Sequence, residues 1–244
     1  VIGCCDGTGQ GNEGMKFMLP SRDIIANDVE VMIRAHSLDG VILLGSCDKI
    51  VPGLMMAAAR LDIPAILLPG GPMLGGPVFD GRKSDLTTMS EGCGMLRAGR
   101  LSEQELYSME NKCGPTCGSC SFYGTANTMC CLSEALGLTV PGGALVPAVY
   151  AERTRIAFES GERIVELVKR NITAGQIMTE ASLENAIAVL NATGGSTNAV
   201  MHLTAVAREL GIESGRMMEL FERMNKQVPL VAKVNPASKY NMED

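Results

Sequence analysis

The sequence predicts an α/β fold: three layers, α/β/α, with a mainly parallel sheet and a largely helical second half. Three observations carry this. The apolar run Val41-Ile42-Leu43-Leu44-Gly45-Ser46 has the length and composition of a buried strand. A second run, Pro64 to Leu68, follows a helix that reaches about Leu61, so the unit is strand–helix–strand and the strands should be parallel with a right-handed crossover. From residue 148 onward, apolar positions recur mostly at helical spacing.

The elements follow in order. Residues 1–20 are Gly-rich around Asp6-Gly7-Thr8-Gly9-Gln10-Gly11-Asn12 and read as a loop able to wrap a ligand. Ile24, Ile25, Val29, Val31 and Met32 predict a helix from Ser21, its N-cap, to His36. Strand 41–46 follows, then a helix with Pro52 in its first turn, where a missing N–H costs little. Residues 69–83 hold five Gly and three Pro and predict an irregular loop. Helices are expected over about 85–98 and from Ser102, where Ser102-Glu103-Gln104-Glu105 has the capping-box pattern. A cysteine-rich turn at 113–120 leads to a helix over about 125–136. Further helices fit 148–170, 180–191, 197–210 and 215–225, and Leu230 to Val234 reads as a last strand.

Composition narrows the function. The 244 residues carry a net charge of −6, only 4% aromatics and no basic block, which argues against nucleic-acid binding. No apolar run approaches the roughly 20 residues of a membrane span. No secretory signal is visible, and the chain reads as a cytoplasmic protein, a piece of a longer one truncated at both ends. Nine cysteines without secretory context favour metal ligation or buried thiols over disulfides. Sixteen Met and no Trp suggest an adaptable core.

Cys47-Asp48-Lys49, at the C-terminal end of the first strand, is the densest chemical signal. Ligands of open α/β sheets bind at that edge. A thiolate suits iron or zinc and a carboxylate suits magnesium. Asp6 would pair with Asp48 as a hard oxygen donor; alone, Asp-Gly is also a turn signal. Lys49 reads either as a solvated charge or as a buried amine. Burial disfavours the ammonium, and a neutral amine reacts with carbon dioxide to give an anionic carbamate, a metal ligand. Cys113-x3-Cys117-x2-Cys120 could hold an iron–sulfur cluster or zinc, or supply one ligand among bystanders. Cys130, Cys131 and Cys93 read as core thiols. Gly194-Gly195-Ser196-Thr197-Asn198 opens a helix whose free N–H groups attract anions, or is a plain capped start. His36 and His202 lack a ligand partner at useful spacing and read as structural.

These motifs resemble the dihydroxy-acid dehydratase / 6-phosphogluconate dehydratase family. The resemblance rests on Cys-Asp-Lys-Ile-Val-Pro-Gly at 47–53, Cys-Gly-Ser-Cys with Gly-Thr-Ala-Asn-Thr-Met at 117–129, Leu-Ser-Glu-Ala-Leu-Gly-Leu at 132–138, Gly-Gly-Ser-Thr-Asn at 194–198 and Leu-Pro-Ser-Arg at 19–22. It implies the N-terminal α/β domain over residues 1–244, with a β-rich C-terminal domain beyond. It also implies an iron–sulfur cluster, two-iron or four-iron, on Cys47 and Cys120, with a further ligand before Val1 in many members. Magnesium is implied on Asp6, Asp48 and a carbamylated Lys49, with Ser196 and Thr197 at the substrate. Cys113 and Cys117 match only some members and are bystanders on this reading; the role of Cys5 is open. The family's base serine lies in the other domain, so this stretch alone is expected to be inactive.

The implied activity is a hydro-lyase converting a 2,3-dihydroxy acid to a 2-oxo acid. Gly-Ser-Cys-Ser at 118–121 favours the branched-chain substrates 2,3-dihydroxy-isovalerate and -methylvalerate over aldonates or phosphogluconate. A homodimer or homotetramer is expected. Two other classes are a radical enzyme using S-adenosylmethionine, suggested by the Cys-x3-Cys-x2-Cys spacing, and a zinc-binding module. The latter leaves Asp48 and Lys49 unexplained.

Overall fold

The computed structural model describes residues 3–244. Its organising element is a helix with almost no solvent face. Strand β1 (Val41–Gly45) leads through four residues into helix α3 (Ile50–Leu61), then to strand β2 (Ala65–Pro69). The strands pair in parallel, Val41 opposite Ala65 and Gly45 opposite Pro69. Ten of the twelve α3 residues are buried. Val-Pro-Gly-Leu-Met-Met-Ala-Ala-Ala is apolar on every side, as a helix enclosed by neighbours must be.

Those neighbours form the layers. Helix α2 (Met18–Ala35) crosses α3 so closely that a Cβ on Gly53 would lie 2.7 Å from the Arg22 carbonyl oxygen. Strand side chains alternate between faces. Leu43, Ala65 and Leu67 join the main core with α3, while Leu68 packs against Ile156 of helix α7 (Ala151–Arg170) on the other face. Helix, sheet and helix are thus stacked as the sequence predicts, around a two-stranded parallel sheet. Helices α6 (Thr125–Ala135), α9 (Glu180–Thr193), α10 (Asn198–Glu209) and α11 (Ser214–Gln227) extend the same core through Met129, Leu132, Leu183, Ile187, Leu203 and Met217. The thioethers of Met55, Met56, Met129 and Met217 are all buried there.

Several local expectations are revised. The first twenty residues are not plain loop: α1 (Asp6–Gly9) and a 3-10 turn (Glu13–Phe17) precede α2, which begins at Met18. Pro20 falls in its first turn, and Ser21 is no cap; its Oγ donates to the Met18 carbonyl. Of the apolar positions that predicted α2, Ile25 and Val29 are buried, while Ile24, Val31 and Met32 face solvent. A two-residue hairpin, β3 (Val78–Phe79) with β4 (Arg82–Lys83), interrupts the 69–83 loop. Helices α4 (Leu86–Arg97) and α5 (Glu103–Glu110) carry capping boxes at Asp85 and Ser102. A short α8 (Ala174–Ile177) follows α7. Cys93 is exposed rather than core: α4 buries only Thr88 and Gly92, and the next residue is turned away from that stripe.

Residues 230–234 form no strand. The Val231 and Ala232 amides both donate to one carbonyl, Ala192, near the end of α9, where helical carbonyls lack internal partners. This tail then runs back across the molecule. Tyr123 N–H donates to the Asn235 carbonyl at 2.7 Å and Met242 N–H to the Ser121 carbonyl at 2.8 Å. Asn235 also donates to the buried Asp85 carboxylate. Arg153, nearly buried, ties the other side of the region by donating to the carbonyls of Pro69, Gly143 and Val146. None of the helices is long and apolar enough to cross a membrane, among the described residues.

Gly53→Val should destabilise the fold by about 1–3 kcal/mol, because overpacking must push α2 off α3. A lower chemical-denaturation midpoint with an unchanged slope is the expected measurement.

Candidate active site

Four residues separate β1 from α3, and three of them are Cys47, Asp48 and Lys49. The buried helix fixes their position. The Val51 amide donates to the Cys47 carbonyl and the Gly53 amide to the Lys49 carbonyl, so the α3 ladder begins on the site residues themselves.

The second wall comes from β2. Beyond Pro69 the chain forms an isolated parallel bridge, Pro72 with Ser119. The Ser119 amide donates to Gly71 at 2.9 Å and the Met73 amide to Ser119 at 2.8 Å. The bridge carries Cys120 to the same sheet edge as Cys47. It requires Gly118, which has φ +131° and whose added Cβ would lie 2.4 Å from the Met73 nitrogen. Asn127, fully buried on α6, locks the loop from below. Its Nδ2 donates to the carbonyls of Cys120 (2.6 Å) and Phe122 (2.8 Å), and its Oδ1 accepts from Ser119 Oγ. The sequence reading quoted Asn127 within a motif without giving it a role; its position one turn into a helix behind a Gly-rich turn was the available signal.

The third wall is the N-terminal segment. Asp6 Oδ2 accepts from Lys49 Nζ at 2.7 Å, with the lysine side chain 6% exposed. The other oxygen, Oδ1, is buried with no partner among the described residues. Asp48 turns toward the start of α6. The Thr125 hydroxyl and the Ala126 amide lie near enough to its carboxylate to favour the charged form. Thr125 Oγ1 is in turn 2.8 Å from Ser196 Oγ, and Asn198 Nδ2 donates to it. Ser196 is therefore separated from Asp48 by one hydroxyl. Thr197, exposed at the start of α10, lines a depression of about 360 Å³ with Ser196, Phe221 and Asn225.

The electrostatics are those of crowded acids. Burial pushes the Cys47 thiol up to about 11, with the charges of Cys5 and Asp48 adding to the rise. Burial, then Asp48, Cys47 and Cys5, push Cys120 up to about 12. Asp48 is raised by burial and then by Asp6, against the opposing pull of Lys49. Cys5, exposed, thus lies within electrostatic reach of both buried thiols. Cations placed here would relieve this repulsion and satisfy the orphaned Asp6 oxygen. Soft sulfur and hard oxygen lie on one rim, a donor set that suits an iron centre beside a divalent cation.

Other sequence candidates are not drawn in. Cys113 is buried and Cys117 exposed, and all nine cysteines are free. Among the described residues, no three His, Cys, Asp or Glu side chains close around a single ion. Cys130 is buried and Cys131 partly so, as expected for core thiols. His36 is exposed and bonded to the Met32 carbonyl. His202 is a different matter: it is fully buried beside this site, with Nδ1 3.3 Å from Arg22 Nη1.

Comparison with known proteins points the same way. The family model described as "Dihydroxy-acid/6-phosphogluconate dehydratase N-terminal" matches residues 1–244. The chain is 53% identical over 244 residues to a protein named dihydroxy-acid dehydratase from Caldanaerobacter subterraneus subsp. tengcongensis, covering 100% of this chain and 43% of that one. Against the protein of that name from Halothermothrix orenii the identity is 48% over 244 residues, 44% of its length. With dihydroxy-acid dehydratase 1 of Methanosarcina acetivorans it is 52% over 236 residues, 97% of this chain and 42% of the other. The chain thus spans less than half the length of the curated relatives it matches.

Asn127→Ala should strip the Cys120 and Phe122 carbonyls of their buried donor. Unfolding free energy should fall by about 1–3 kcal/mol, read by denaturant titration. Faster amide exchange confined to residues 117–124 should accompany it.

Proposed function

The chain belongs to the dihydroxy-acid/6-phosphogluconate dehydratase family, matching its N-terminal domain, and on that premise we propose that the full-length protein dehydrates 2,3-dihydroxy carboxylic acids to 2-oxo acids. Its substrates are the branched-chain intermediates 2,3-dihydroxy-isovalerate and -methylvalerate, and it works as a cytoplasmic homodimer or homotetramer. The observation that carries the reading is the meeting of Cys47 and Cys120 with Asp6, Asp48 and Lys49 at one end of the parallel strands.

In this reading Cys47 and Cys120 hold an iron–sulfur cluster, and Asp6, Asp48 and a carbamylated Lys49 hold magnesium. Bound there, the two groups supply Lewis acidity to the departing hydroxyl and to the charge that develops at the substrate's carboxylate end. The protein's own residues prepare the site. The Lys49 ammonium first passes one proton out to solvent, and the amine then adds to carbon dioxide: a nitrogen–carbon bond forms, one carbon–oxygen π pair moves to oxygen, and the nitrogen releases a second proton. Asp6 Oδ2, already hydrogen-bonded to that nitrogen, is placed to receive it. The product is a third oxygen anion where a cation had opposed metal binding.

Thr125 and the Ala126 amide hold Asp48 as its charged form, offsetting the burial that works against it. Ser196 and Thr197, at the start of α10, offer hydroxyls to the substrate, while the Ser196 amide is held by Thr128 Oγ1. Lys49, 5% exposed, sits where bulk water is excluded. The base that removes the C2 proton, a serine by resemblance, is not among these elements, so this stretch alone is inactive.

Full-length protein purified without oxygen should form 2-oxo acid fastest from 2,3-dihydroxy-isovalerate. Turnover of aldonates alone would reassign the substrate, and turnover of neither would refute the activity. Cys47→Ser should lose iron and activity together, and normal iron content would remove Cys47 from the ligand set. Lys49→Arg should keep its iron while its magnesium affinity collapses, because a guanidinium cannot form the carbamate; calorimetric titration reads the difference.

A further inference from the structure

His202 lies on α10, which packs on α3, and its side chain is fully buried. Arg22, on α2, presents Nη1 to its Nδ1 at 3.3 Å. A guanidinium can only donate, so Nδ1 accepts and the ring proton sits on Nε2. That N–H has no acceptor among the described residues. Burial, with the nearby charges of Lys49 and Arg22 adding to it, pushes the imidazole down to about 3, so the ring is neutral. A buried donor without a partner is rare in folded proteins and calls for an explanation. Packing does not supply one, since a methionine or leucine would fill the same space with no polar atom to satisfy.

The surroundings supply one. Arg22 and the Lys49 ammonium both bear on the ring, so an additional anion would be welcome there and an additional cation would not. The carbamate proposed for Lys49 is such an anion, and it brings acceptor oxygens to the residue whose cation now disfavours protonation of the ring. We infer that His202 is a positioning residue for Lys49: its Nε2–H is the donor kept for the carbamate oxygen, with Arg22 fixing the tautomer that puts the proton there. This rests on the carbamate reading of Lys49 given above and adds what holds the modification in place. An unheld carbamate would revert to amine and carbon dioxide; one bonded by His202 is retained and presented to magnesium.

The test uses full-length protein with its iron intact and magnesium removed. Carbamate is read by carbon-13 NMR after incubation with labelled bicarbonate, and magnesium affinity by calorimetry with and without bicarbonate. His202→Gln places an amide N–H near the position of Nε2, whereas His202→Asn places its amide near Nδ1 and leaves the Nε2 position empty. Wild type should show a carbamate signal and bind magnesium more tightly when bicarbonate is present. His202→Asn should lose the signal and bind magnesium roughly tenfold or more weakly in bicarbonate, the effect of losing one hydrogen bond to a charged group. Its iron content should be unchanged, and His202→Gln should recover most of the signal. Either variant, if folded, decides alone: full carbamate in Asn, or none in Gln, overturns the role of His202 and leaves Lys49 untouched. Absence of carbamate in the wild type overturns the Lys49 reading and this inference with it.

Discussion

Everything at the sheet edge depends on the burial of α3. A helix enclosed by α2, both strands, α6 and α10 cannot rotate or slide without opening several packed faces at once. Because its first backbone hydrogen bonds reach back to Cys47 and Lys49, the residues before it inherit that rigidity. Close approach at Gly53 strengthens the constraint, since α2 brings Arg22 with it, and Arg22 in turn sets His202. Precision in the site is thus achieved through apolar contacts made one to three turns away.

The electrostatic character follows from what is packed at that edge. Two carboxylates and two half-buried thiols share it with one lysine, whose ion pair with Asp6 leaves an oxygen without a partner. Neutral thiols and a paired lysine let this arrangement fold without bound cations. The same groups, once ionised, form a concentrated field of negative charge. A cation placed at this edge would relieve the repulsion that burial concentrates there.

Much of this was legible in the sequence, and the exceptions have physical causes. The run at 64–68 is apolar throughout because both faces of β2 are covered, whereas β1 buries Leu43 and leaves Ile42 and Leu44 exposed; the continuity of the two runs still marked the parallel unit and hence the location of the site. The strand end placed Cys47 at the sheet edge, whereas the Pro72–Ser119 bridge that carries Cys120 there has no sequence signature. Helix α1 was read as loop because Gly-rich composition masks a single helical turn, and α2 begins earlier than read because Pro20 looks like a boundary rather than a first-turn residue. Cys93 shows that a thiol in an apolar helix can lie just off the buried stripe. His202 was taken as structural because a missing acceptor is a property of three dimensions. Residues 230–234 have strand composition, but their neighbour is a helix end, which offers one carbonyl and no ladder.

The tail that crosses back over the molecule has a consequence for assembly. It supplies the acceptor for Tyr123 and the donor for Ser121, the two residues flanking Phe122 just past Cys120. These pairings span half the polypeptide, so they form only after long-range closure, which is the slow part of folding. The elements β1, α3 and β2 are close in sequence and can dock early, with Cys47 in place, while the loop after Cys120 waits on residues 235–242. The sheet-edge thiol pair is therefore completed late in folding, after Cys47 has already taken its position.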